Sequence, residues 1–175
     1  LFYAIQGYDM IISSLSSSEK NIIEQNLLIP MADFLSSGQP ETFNKIHNHG
    51  TWAVSAVGMT GYTLNNNDLV TKALYGLDKS GDSGFYKQID ELFSPDGYYA
   101  EGPYYQRFAL LPFVIFAKSI NTNDPNLKIF EYKDNALIKA IYTTIQLSYN
   151  KLFFPINDAI KDKGIDTIEL VHSVA

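Results

Sequence analysis

The sequence predicts an all-α domain, and three observations predict it. Apolar residues recur at helical rather than strand spacing, Ser, Asn and Pro stand where helices would open, and no alternating run or Asn-Gly pair announces a hairpin. The 175 residues are 46% hydrophobic and 18% charged, which suits one folded domain with a real core. Helices joined by short loops form antiparallel hairpins, and such hairpins build bundles, solenoids or toroids.

The first segment carries Ile5, Tyr8, Ile11, Ile12 and Leu15 at helical spacing. Ser16 and Glu19 then fit a capping box, opening a second helix through Ile22, Ile23, Leu27 and Ala32 to about Leu35. Pro30 lies inside that pattern and should kink or split it. Residues 36–40 are a break. A third helix is expected from about Gly50 to Leu64. Asn65-Asn66-Asn67-Asp68 closes it and caps a fourth, through Leu69, Ala73 and Leu77. A turn at 80–84 leads to a short helix from Phe85 to about Phe93, and Ser94-Pro95-Asp96-Gly97 signals another turn. Pro103 suits the first position of a helix running to about Ile120. Residues 121–126 read as polar loop, and a long helix follows from about Asp134 to Tyr149. After a break at Pro155, a last helix is expected from about Ile165. Leu1–Ile5 reads as the middle of an apolar segment and Ile168–Ala175 stops inside a helical pattern, so residues 1–175 are expected to be a single helical domain cut from something longer.

Composition narrows the function. A formal net charge of −6 argues against nucleic acid, whose phosphates attract basic surfaces. It also weighs against a polyanionic ligand unless the few cations are gathered in a cleft. There is no cysteine, so thiol chemistry and disulfides are excluded. No apolar run approaches the ~20 residues that span a bilayer.

Two segments crowd polar and aromatic groups where packing does not require them. In Asn44-Lys45-Ile46-His47-Asn48-His49-Gly50-Thr51-Trp52, the plain reading is that Asn48 caps a helix and His49 is a surface histidine. His47 and His49, two apart, do not share a helical face and have no acidic residue at ligand spacing, so no metal site is assigned. In Ser94 to Phe108, Tyr104 and Tyr105 fall in the first turn of the helix opened by Pro103. Free N–H groups and the helix dipole there favour negative charge, which helps a phenol ionise. Arg107 stands three residues from Tyr104 and two from Tyr105, so helical geometry favours Tyr104 as its contact. The plain alternative is that both tyrosines pack or form a sugar platform without reacting. Asp96 and Glu101 also read as a glycosidase carboxylate pair, although an aspartate before a glycine is ordinary in a turn.

Taken in order, Asn48-His49-Gly50-Thr51-Trp52, then Asp96-Gly97-Tyr98-Tyr99, then Glu101-Gly102-Pro103-Tyr104-Tyr105-Gln106-Arg107-Phe108 resemble the catalytic region of oligoalginate lyases. These are polysaccharide lyase family 17, in the heparinase II/III-like group. The resemblance implies an incomplete (α/α) toroid and β-elimination on a uronic-acid polymer or oligomer, alginate above all. It implies that Asn48 and His49 neutralise the sugar carboxylate and that Tyr105 is the acid or base, with Tyr104 as the alternative. Arg107 would lower the tyrosine pKa or bind a carboxylate. Trp52, Tyr99, Glu101 and Tyr104 would add substrate contacts. In that family a β-sandwich domain follows the toroid and supplies a second tyrosine and a structural zinc site. Nothing here reads as that domain, so no cofactor is expected within these residues, and the fragment alone would be weakly active or inactive. The resemblance further implies an exported, periplasmic protein, compatible with a homodimer. Two rivals stay open: a glycoside hydrolase using Asp96 and Glu101, and a non-catalytic glycan-binding helical domain.

Overall fold

The structure, a computed structural model, describes residues 1–165 and is all-α but for one short hairpin. The helix expected from Ile165 falls almost wholly outside the described residues. The chain divides into two compact units, Leu1–Lys87 and Gln88–Ala175.

In the first unit, α1 (Phe2–Ile11) buries Phe2, Ile5 and Tyr8, whereas Ile11 of the periodic pattern is exposed. A single 3₁₀ turn, Ile12–Ser14, leads to α2 (Ser17–Ile23). The Ser16–Glu19 capping box is complete: the Ser16 hydroxyl accepts from the Glu19 N–H, and the Glu19 carboxylate accepts from the Ser16 N–H. Pro30 does not split the helical run, which continues without a break from Ser17 to Leu35. A π-helical segment, Glu24–Leu28, precedes α3 (Ile29–Leu35) and widens the helix just where the proline ring would meet the preceding turn. The buried Tyr8 hydroxyl donates to the Glu24 carboxylate in that segment. Burial first, and the carboxylate second, push this phenol up to about 12.

After a short α4 (Pro40–Phe43), α5 (Asn48–Thr63) runs through the middle of the unit. Residues 53–61 of it are all buried, as befits a helix packed by neighbours on several sides. It packs against α1, α3, α4 and α6 (Asn67–Tyr75). The side chain of Asn66 caps α6, accepting from the Asp68 and Leu69 N–H groups at 3.1 and 3.2 Å. We expect Asn66→Ala to cost about 1 kcal/mol, read as a lower midpoint in urea. An unchanged midpoint would mean that water serves those donors equally well.

The chain passes through α7 (Gly84–Leu92) into the second unit, where α8 (Pro103–Asn123) packs on α9 (Tyr132–Gln146). α8 outlasts its expected end at Ile120. The Thr122 hydroxyl and the Asn123 amide bond back to the Lys118 and Ser119 carbonyls, at 2.9 and 2.8 Å, and use the polar residues to finish the helix. Pro112 lies inside α8 without ending it. α9 opens with left-handed dihedrals at Lys133, Asp134 and Asn135, so regular helix begins only after them. It also stops short of Tyr149. The residues beyond form the antiparallel pair β1 (Ser148–Tyr149) and β2 (Leu152–Phe153). Both loop residues, Asn150 and Lys151, take positive φ, the backbone of a tight hairpin built without the usual glycine. Among the described residues no helix is long and apolar enough to cross a membrane.

Candidate active site

The candidate residues fall in two groups, one in each unit. Asn48, His49 and Trp52 occupy the first turns of α5. The N-cap is His47, one residue earlier than Asn48. Its extended backbone (φ −171°, ψ 159°) lets Nδ1 accept from the His49 N–H at 3.3 Å. Because His47 lies outside the helix, its ring meets that of His49 edge-on at 4.8 Å, a proximity that helical spacing alone does not allow. Asn48 is thereby turned inward and buried, while His49 stays exposed. The loop ahead of α5 is anchored from behind. The Asn44 amide oxygen accepts from the Leu77 N–H at 3.0 Å and from the Ser83 hydroxyl at 2.9 Å. Trp52 is half-buried, its ring edge-on to Phe2 at 4.6 Å and tilted against Tyr3 at 6.0 Å.

Tyr104, Tyr105 and Arg107 occupy the first turns of α8, as the proline at its first position requires. Tyr104 is buried and Tyr105 half-exposed, their rings edge-on at 5.0 Å. The Arg107 guanidinium lies over the Tyr104 and Phe108 rings, 4.6 and 4.2 Å from their centroids. Its Nε donates to the Tyr104 carbonyl at 3.2 Å. Helical spacing thus pairs Arg107 with Tyr104, and the cation is tethered at the start of the helix by the two rings and that carbonyl.

Tyr99 has a different place. It is fully buried against Phe93, with ring centroids 5.4 Å apart, and bridges to that residue through the backbone. Burial, and next the charge of Glu101, push its phenol well above the usual range. This is a packing position with no surface to offer a sugar, whereas Glu101 two residues on is half-buried.

Asp96 is exposed within the 94–97 turn. The Ser94 hydroxyl donates to its carboxylate, and the Tyr98 N–H lies 3.4 Å away. These bonds, the Ser94 one foremost, hold its pKa below the usual carboxylate value. A glycosidase general acid needs the opposite shift.

Spacing did not single out Gln106. It is fully buried between Tyr105 and Arg107, and its amide donates to the Gly97 carbonyl at 3.2 Å and to the Ala140 carbonyl at 2.8 Å. A signal existed: Gln106 lies on the stripe of Leu110 and Phe113, so a polar residue there faces inward and must find partners. Among the described residues, no group of three or more His, Cys, Asp or Glu side chains is arranged to hold a metal ion.

Against known proteins, the family model described as Alginate lyase matches residues 10–154. The chain is 67% identical over all its 175 residues to an exo-oligoalginate lyase of Saccharophagus degradans, covering 24% of that protein. It is 56% identical over 174 residues to an alginate lyase of Stenotrophomonas maltophilia, covering 23% of it. The chain therefore spans about a quarter of the length of the curated relatives it matches.

Proposed function

This chain belongs to the alginate lyase family, and on that premise we propose that it carries part of a site that cleaves a uronic-acid chain, alginate first, by β-elimination. The observation that carries the reading is the half-exposed Tyr105 phenol, set in the first turn of a long helix, with an arginine two residues on that is tethered to Tyr104.

In the proposed reaction a base removes the proton at C5 of the uronate, and the electron pair forms the C4=C5 double bond. The C4–O bond breaks, and an acid delivers a proton to the departing glycosidic oxygen. The C5 proton becomes acidic only when the adjacent carboxylate is neutralised by donors, so that the enolate-like intermediate is stabilised where charge develops. Asn48 and His49 have that role, Tyr105 the proton transfer, and Arg107 binds a neighbouring carboxylate. Trp52, Glu101 and Tyr104 line the substrate. Tyr99 is left out, because it is buried. The helices would then be part of an (α/α) toroid.

The test uses the full-length protein with alginate, polymannuronate, polyguluronate and heparin-type substrates, following near-ultraviolet absorbance. Elimination makes a conjugated double bond that absorbs there, and hydrolysis does not. Rising absorbance on a uronate supports the reading. New reducing ends without absorbance would transfer the chemistry to Asp96 and Glu101. Binding with neither product would leave a glycan-binding helical domain.

A further inference from the structure

Three consecutive carbonyls of the 94–97 turn are each held by a side chain from elsewhere in the second unit. Lys139 Nζ donates to the Pro95 carbonyl at 3.1 Å, the Thr143 hydroxyl to that of Asp96 at 2.6 Å, and the Gln106 amide to that of Gly97 at 3.2 Å. Lys139 and Thr143 lie on α9. Gln106 lies on α8 and spends its second amide hydrogen on Ala140 of α9, at 2.8 Å. One fully buried amide therefore joins the turn, α8 and α9 at a single point.

From this we infer that Gln106 is a positioning residue for Tyr105. The inference rests on the proton-transfer role proposed for that tyrosine. Tyr105 and Arg107 are its chain neighbours, and the first turn of α8 cannot rotate or slide without withdrawing the amide from two acceptors. A buried hydrogen bond is costly to leave unmade, so the clamp resists just the motion that would carry the phenol away from its substrate. The first turn of a helix has few bonds of its own to resist it. Lys139 and Thr143 hold the turn from the other side, so the anchor of the clamp is itself fixed to α9.

Gln106→Met keeps the volume and removes both donors. In the full-length protein we expect kcat on oligouronate to fall about 10–100-fold, the range for a reacting group displaced by a fraction of its own size, with KM nearly unchanged. The control is Leu137→Ala, a buried α9 residue outside the clamp, compared at equal loss of thermal midpoint. Amide hydrogen exchange over residues 103–107 is read on the same samples. Faster exchange there and a larger loss of kcat in Gln106→Met than in the control support the inference. Equal effects of the two variants on both readouts overturn it and leave Gln106 a merely structural residue. Should the wild type give no unsaturated product on any uronate, the lyase reading fails by that result, and the exchange comparison still decides whether Gln106 fixes the turn that carries Tyr105. Should Gln106→Met not fold, Thr143→Val removes the adjacent donor alone. Faster exchange over 103–107 then supports the inference, and unchanged exchange overturns it.

Discussion

Tyr105→Phe is expected to lower kcat for β-elimination by about 10²–10⁴-fold, the usual worth of a positioned acid or base, with little change in thermal stability. The substitution deletes one oxygen from a half-exposed ring and leaves the ring's edge-on contact with Tyr104 and its contact with Phe108 in place. Loss of activity cannot then be blamed on lost packing. Tyr104→Phe is the companion measurement. Tyr104 is buried beneath the Arg107 guanidinium, so its phenol is poorly placed to exchange protons with a substrate, and its removal should leave kcat within about tenfold of the wild type. If Tyr104→Phe proves the inactive variant and Tyr105→Phe retains activity, the proton-transfer role moves one residue along α8, and Arg107 becomes its direct neighbour. If both stay active, the chemistry is not on this helix.

What could be seen from the sequence was mostly local. The Ser16–Glu19 box and the Asn66 cap are contacts between residues two or three apart, made by side chains chosen for that purpose, and the structure forms both. The pairing of Arg107 with Tyr104 follows from helical spacing in the same way. The N-terminus of α5 was harder, because histidine is an unusual cap and the Asn48 beside it is the commoner choice. The hairpin after α9 escaped because asparagine and lysine, not glycine, take the positive φ angles. The resemblance implied that Tyr99 is a substrate contact, and composition could not tell which tyrosine of the 98–105 stretch faces inward; Tyr99 lies in the core. The clamp on residues 95–97 lay furthest from view. Its donors on α9 are 44 and 47 residues from the carbonyls they hold, and no local pattern announces a contact at that separation.

The same clamp sets the second large effect. Gly97 adopts φ +87°, and a Cβ there would stand 2.4 Å from the Ala140 nitrogen and the Lys139 carbonyl carbon, both backbone atoms of α9 that cannot swing aside. Gly97→Ala therefore meets two costs. The left-handed backbone is worth about 1–2 kcal/mol against a residue with a side chain, and forcing the turn off α9 adds an overpacking cost of about 1–3 kcal/mol. Gly81 separates them, since it has the same φ of +87° with nothing within 4 Å of its would-be Cβ. Gly81→Ala should lower the urea midpoint by the backbone share alone, and Gly97→Ala by roughly twice as much. Equal shifts would mean that the turn and α9 are not in contact in solution. A larger shift at Gly97 carries a functional consequence as well. A turn displaced from α9 takes the Gly97 carbonyl away from Gln106, so elimination in Gly97→Ala should slow beyond what its fraction of folded protein explains, and Gly81→Ala should keep its rate per folded molecule.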